Sequence, residues 1–72
     1  MAENKHRKVL GGTIRSIRNK AEISQEKLAE KADLHHNFVG ELERGEKAAS
    51  IDSLVKIARA LGVKVRDLVK EL

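Results

Sequence analysis

Apolar residues recur along this chain every three or four positions, in short segments separated by residues typical of helix ends. The first segment places four apolar residues on one face of a helix, namely Leu10, Ile14, Ile17 and Ala21. Ser24 and Ser50 are predicted N-caps of later helices, and Gly45 and Gly62 are predicted stops. No stretch alternates apolar and polar residues as a half-buried strand would. The pattern therefore predicts an all-α fold.

The same spacing predicts five helices. The first carries the face just described, and the next three are expected at about residues 25–32, 35–44 and 51–61. The apolar residues that remain, within 63–72, predict a last short helix. On the fourth helix, the residues expected to be buried are Ile51, Leu54, Val55, Ala58 and Leu61.

Size and residue types exclude several classes of protein. The chain has 72 residues and no cysteine, so one apolar core must stabilise a single domain, predicted over residues 9–72 after a charged leader at residues 1–8. No segment has the pattern of a signal peptide or a membrane span, which predicts a cytoplasmic protein without membrane contact. So small a helical domain, without a nucleophile–base pair or a cluster of metal ligands, predicts no enzyme activity, cofactor, metal or small-molecule ligand.

Charge is distributed unevenly. The net charge is +4, yet residues 21–46 carry seven acidic side chains against three basic ones. The segments on either side, residues 1–20 and 47–72, are both basic. A non-specific polyanion binder would be basic throughout. Any binding to nucleic acid is therefore expected to depend on helix termini, hydrogen bonds and flanking lysine or arginine side chains.

The predicted third helix has one apolar and one polar face. Its apolar arc consists of Phe38, Val39 and Leu42. Its polar arc consists of His36, Asn37, Gly40, Glu41 and Arg44. Such an arc is often only a solvated helix face, but short hydrogen-bonding side chains also suit the major groove of DNA. Asparagine can pair with adenine, glutamate can accept from cytosine, and histidine can donate to guanine, so His36, Asn37 and Glu41 are the predicted base readers.

Three sequence pieces carry a resemblance to a known family. These are ISQEKLAEKA at residues 23–32, ELERG at 41–45 and ALGV at 60–63. Together they resemble the lambda-repressor-like family of Cro and Xre regulators over about residues 9–70. The resemblance implies a compact five-helix DNA-binding domain in which helices 2 and 3 form a helix-turn-helix and helix 3 is the recognition helix.

The resemblance also implies roles for residues outside the polar arc. It implies contacts to the DNA backbone by Ser24, Gln25, Arg44, Lys47 and Ser50. It further implies an ion pair between Arg18 and Glu43, which is expected to be structural. The chain departs from the family pattern at three positions. Glu22 and Asp33 replace glycines, which predicts positive-φ strain, and His35 replaces the usual serine or threonine cap.

These observations predict a regulator of transcription that binds specific double-stranded DNA sequences. We expect a homodimer, joined through Val65, Val69 and Leu72 of the last helix, on a pseudo-palindromic operator. When bound it would be associated with the nucleoid. A controller protein of a restriction-modification system, a phage Cro-type repressor and a toxin-antitoxin regulator share this outline. The alternative from another class is a protein-interaction module that keeps the same fold.

Overall fold

The computed structural model describes residues 5–72, and this part of the chain is helical with no strand. The helices are α1 (Lys5–Lys20), α2 (Gln25–Ala32), α3 (Phe38–Glu43), α4 (Ile51–Leu61) and α5 (Val65–Val69). This order confirms the predicted all-α architecture with five helices. No helix in residues 5–72 combines the length and the apolar character needed to cross a membrane.

The predicted caps are present where the sequence placed them. The Ser24 hydroxyl accepts a hydrogen bond from the Lys27 backbone N–H at 2.9 Å, and Ser50 does the same for Ser53 at 3.0 Å. Gly62 ends α4 in the left-handed conformation, at φ 73°. These local hydrogen bonds satisfy backbone groups that a helix end leaves free, so the helix boundaries near them follow from sequence alone.

The first helix is longer than predicted at its N-terminal end and shorter at the other. It begins at Lys5, so residues 5–8 of the predicted leader are helical, while residues 1–4 lie outside the described part of the chain. Arg7 and Val9 are half-buried, and this packing supports the extra turn. Ala21, expected on the buried face, is instead exposed in the turn after the helix.

The third helix starts later than predicted, at Phe38 rather than near His35. The His35 ring stabilises the turn before the helix, because its Nδ1 accepts from the Asn37 backbone N–H at 3.2 Å. The His35 carbonyl accepts from the Phe38 N–H at 2.9 Å, which is the tighter spacing of a 3₁₀ turn. His36 and Asn37 therefore lie in a turn, and residues 33–37 connect α2 to α3.

The predicted stripe on the fourth helix is wrong at two positions. Ile51 is 71% exposed, whereas Ile57, which the stripe omitted, is completely buried. The buried face of α4 begins one turn after Ile51, at Leu54, and continues through Ile57 and Ala58. Because Ile51 is the first residue of the helix, it lies beyond the part of α4 that the other helices cover.

Both predicted sites of backbone strain are confirmed. Glu22, in the turn between α1 and α2, has a φ of 60°, and Asp33, which ends α2, has a φ of 56°. This left-handed conformation is unfavourable for a residue with a Cβ, and less so for aspartate than for glutamate. The chain therefore makes two tight connections without glycine.

Helices α1 and α3 touch through their backbones at Gly11. A Cβ at this position would lie 2.6 Å from the Glu43 carbonyl oxygen and would also overlap the carbonyl oxygen of Leu42. Real Cβ atoms essentially never approach so closely. The absence of a side chain at Gly11 thus sets the position of α3, and with it the surface that α3 presents.

Candidate nucleic-acid interface

The start of α2 and the middle of α3 meet at Gly40. A Cβ at Gly40 would lie 3.3 Å from Gln25 Oε1 and 3.1 Å from Arg44 Nη1. The side chains of Gln25 and Arg44 therefore converge over one glycine, although they belong to different elements. Gly40 itself is buried. The sequence placed it on the polar arc of the third helix, and the structure shows that its own neighbours cover it.

A buried ion pair lies beneath this surface. Arg18 Nε donates to Glu43 Oε2 at 2.6 Å and its Nη2 donates to Glu43 Oε1 at 3.1 Å. Arg18 Nη1 also donates to the Ile23 carbonyl at 2.8 Å, just before α2. The hydrogen bonds to Glu43 raise the pKa of Arg18 above its usual value. One guanidinium thus joins α1, the approach to α2 and the end of α3, in keeping with the structural role expected of the pair.

Glu43 has a further partner that the sequence did not reveal. Gln25 Nε2 donates to Glu43 Oε1 at 2.9 Å, and Arg15 Nε lies 4.0 Å from the same oxygen. The Glu43 side chain is 1% exposed, whereas that of Arg15 is 64% exposed. The buried Glu43 carboxylate is therefore paired with the Arg18 guanidinium and also accepts a hydrogen bond from the Gln25 amide.

The predicted base readers lie at the N-terminal side of α3. His36 and Asn37 are exposed in the turn that precedes the helix, and Glu41 is half-buried on its first turn. The rings of His35 and His36 stack with centroids 4.4 Å apart. The predicted recognition surface is therefore formed by a turn together with a short helix, and not by one continuous helix as expected.

The segment after α3 contains three of the five residues expected to contact the DNA backbone. Lys47 and Ser50 are exposed, and Arg44 Nε donates to Glu46 Oε2 at 2.8 Å. This hydrogen bond raises the pKa of Arg44 and lowers that of the Glu46 carboxyl. Both side chains are more than half exposed, so the pair is weak and can open when a phosphate approaches.

Ion pairs engage three of the seven acidic side chains in residues 21–46. Within residues 21–46, Glu43 is neutralised by Arg18, Glu46 by Arg44 and Glu30 by Lys27 at 3.1 Å. Ser24 keeps its hydroxyl on the Lys27 backbone N–H at the start of α2, next to Gln25. The N-terminal end of a helix favours negative charge, which makes this end suitable for a phosphate oxygen.

The three residues expected to join two subunits differ in exposure. Val65 and Val69 are half-buried and pack against the core, while Leu72 is 58% exposed. Ile51 is a large apolar residue on the surface that the prediction missed. Among residues 5–72, Ile51 and Leu72 are the strongly exposed large hydrophobic side chains.

Comparisons with known proteins agree with this geometry. The sequence profile described as helix-turn-helix matches residues 14–68. Control protein C.BamHI of Bacillus amyloliquefaciens is 44% identical over 66 residues, covering 90% of this chain and 82% of that protein. Control protein C.SmaI of Serratia marcescens is 37% identical over 62 residues, covering 86% of this chain and 74% of that protein. The crystal structure of the restriction-modification controller protein C.AhdI from Aeromonas hydrophila superposes with a TM-score of 0.82 at 35% identity, covering 83% of this chain and 91% of that one.

Proposed function

The chain belongs to the helix-turn-helix family of Cro/Xre-like regulators, and from that membership we propose a homodimer that controls a restriction-modification system by binding a pseudo-palindromic operator. As a member of this family, it is a DNA-binding regulator of transcription. The family consists of non-enzymatic DNA-binding proteins, which agrees with the prediction that the chain is not an enzyme.

The observation that carries the proposed binding mode is the convergence of α2 and α3 on Gly40. Gln25 and Arg44 meet there, and the exposed turn with His36 and Asn37 belongs to the same helix-turn-helix unit. In the proposed complex, this turn and the first part of α3 enter the major groove. Asn37, His36 and Glu41 then face base edges.

The flanking residues are proposed to hold the DNA backbone. Ser24 and Gln25 lie at the N-terminal end of α2, while Lys47 and Ser50 lie in the connection between α3 and α4. These groups would bind phosphates on either side of the recognition surface and fix its orientation. Arg44 would exchange its exposed partner Glu46 for a phosphate oxygen.

Control of a restriction-modification system is the host process favoured over a phage or toxin-antitoxin role. The relatives named control proteins are matched over most of their own length, and the C.AhdI chain is covered to 91%. The chain therefore matches most of the length of each of these controller proteins. We propose that it acts in the cytoplasm, associated with the nucleoid when bound.

The proposed homodimer forms through the α5 region, with Val65, Val69 and Leu72 at the interface. The strong exposure of Leu72 supports a partner subunit at this residue. Ile51 is also strongly exposed and is a further candidate for the subunit interface. Two recognition surfaces would then read half-sites about one helical turn apart, roughly 34 Å. Val69→Asp is expected to shift the protein toward a monomer in sedimentation velocity, and an unchanged profile would exclude this interface.

Selection of the purified protein on random duplex DNA tests the proposed operator. We expect enrichment of an inverted repeat with half-sites about ten base pairs apart, and affinity for the enriched duplex should fall steeply with salt. Enrichment of a single half-site would contradict the dimeric mode. A lack of enrichment, combined with salt-insensitive capture of a protein partner, would instead favour the interaction module.

A further inference from the structure

We propose that Gly40 and Glu43 are positioning residues that fix the side-chain amide of Gln25 in the orientation used for DNA binding. This inference rests on the proposed function, because it assigns Gln25 a contact with the DNA backbone. It goes beyond that function by naming what holds the contact in place. Neither Gly40 nor Glu43 needs to touch DNA for this role.

Glu43 selects one orientation of the amide. A glutamine amide has a donating NH₂ end and an accepting carbonyl end, whereas a carboxylate only accepts. The 2.9 Å contact from Gln25 Nε2 to Glu43 Oε1 therefore fixes which end points toward Glu43. One N–H of Nε2 remains to donate to a phosphate oxygen outside. If the amide rotated by half a turn, its carbonyl would face the buried carboxylate and the two would repel each other.

Glu43 can fix the amide because Glu43 is itself immobile. Its carboxylate accepts two hydrogen bonds from Arg18 and its side chain is 1% exposed. The buried ion pair between α1 and α3 thus sets the geometry of a side chain at the start of α2. A pair that was expected to be only structural acquires a second role through Gln25.

Gly40 provides the space in which the amide lies. The backbone does not require glycine here, since Gly45 and Gly62 are the glycines with positive φ in residues 5–72. Glycine within a helix also lowers helix stability relative to alanine. A Cβ at Gly40 would lie 3.3 Å from Gln25 Oε1 and 3.7 Å from its Cδ, so the amide would have to shift.

The two side chains over Gly40 would respond differently to a Cβ. Arg44 is 56% exposed and its guanidinium can swing into solvent. Gln25 is half-buried and tied to Glu43, so it can move only by lengthening or breaking that hydrogen bond. Alanine at position 40 should therefore displace Gln25 while leaving the helix itself intact.

The test is Gly40→Ala, with Gly12→Ala as the matched control. Gly12 is also a helical glycine, but it is exposed and a Cβ there meets nothing within 4 Å. We expect Gly40→Ala to lose roughly tenfold in affinity for the selected duplex and for random duplex alike, the size of one lost hydrogen bond to a charged group. Its urea midpoint should be no lower than that of the unmodified protein. Gly12→Ala should bind as the unmodified protein does.

A double-variant cycle separates positioning from a direct clash with DNA. In a Gln25→Ala background, Gly40→Ala is expected to change affinity by less than about twofold, because the positioned group is already absent. A full loss in that background would mean that the new methyl group acts on the DNA or on Arg44 and not through Gln25, and it would overturn the proposal. An unchanged affinity for Gly40→Ala alone would overturn it as well.

A measurement on the free protein keeps this inference distinct from the proposed function. The Gln25 side-chain NH₂ resonances in a ¹⁵N–¹H NMR spectrum should report the bond to Glu43, and they should shift in Gly40→Ala but not in Gly12→Ala. If the protein bound no duplex DNA, the proposed function would fail and this spectrum would still test the positioning. Unshifted Gln25 resonances in Gly40→Ala would refute it.

Discussion

Gly11→Ala adds a single methyl group at the point where the backbones of α1 and α3 touch. The new methyl group would overlap the carbonyl oxygens of Leu42 and Glu43, with the latter at 2.6 Å and the Glu43 carbonyl carbon at 2.8 Å. These are backbone atoms of α3, so no side chain can rotate to make room. The two helices must separate or tilt instead.

The magnitude follows from two opposing effects. Alanine favours a helix interior over glycine by about 1 kcal/mol. Overpacking costs about 1–3 kcal/mol in a core that can adjust, and a clash with backbone belongs at the upper end of that range. We therefore expect a net loss of about 2 kcal/mol in the free energy of unfolding. For a domain of this size, that corresponds to a fall in Tm of roughly 8–16 °C.

Urea and thermal unfolding followed by far-UV circular dichroism measure this loss. Gly12→Ala again provides the control, because it changes the same residue type on the same helix, at a position with nothing within 4 Å of the added atom. That variant should gain up to about 1 kcal/mol from helix propensity alone. If Gly11→Ala proved as stable as Gly12→Ala, the close approach of α1 and α3 would be wrong.

Four further substitutions test separate parts of the argument. Arg18→Ala should cost about 3 kcal/mol in urea unfolding, because it leaves the Glu43 carboxylate buried without its main partner, and a loss below about 1 kcal/mol would contradict a buried pair. Glu22→Gly should raise the free energy of unfolding by up to about 1 kcal/mol by relieving the positive φ, an effect that a destabilised variant would disprove. Asn37→Ala should cost about 1–3 kcal/mol in binding to the selected duplex, and an equal loss on random DNA would remove it from the base readers. Lys47→Ala should weaken binding to all sequences alike and reduce the salt slope by about one unit, whereas an unchanged slope would mean that it contacts no phosphate.

Short-range features of this protein were predictable from sequence. Ser24 and Ser50 cap α2 and α4 through backbone groups three residues away, and Gly62 ends α4. The strain at Glu22 and Asp33 was also predicted, because each occupies a turn where the family pattern has glycine. The caps join groups that lie within a few residues of one another, and the strain belongs to single residues. The local sequence therefore contains the whole of each feature.

The sequence predicted which residues belong to the candidate site, but it did not predict how they are arranged. Gln25 and Arg44 were predicted as separate DNA contacts, and Gly40 as a member of the polar arc. Their meeting depends on α2 packing against α3. In the turn before α3, the His35 ring accepts a hydrogen bond from the Asn37 backbone, where the family pattern has a hydroxyl. Periodicity alone does not distinguish that turn from helix.

The sequence by itself determined the number of helices, their caps and the family, because periodicity and capping are encoded within single turns. Only the tertiary structure decided that Ile51 is exposed while Ile57 is buried, and that Glu43 holds Gln25 as well as Arg18. The hydrogen bonds of Glu43 require residues 18 and 25 positions apart in the chain to meet. Such meetings depend on how far the helix backbones approach each other, which is set at Gly11 by a contact that no pattern in the sequence specifies.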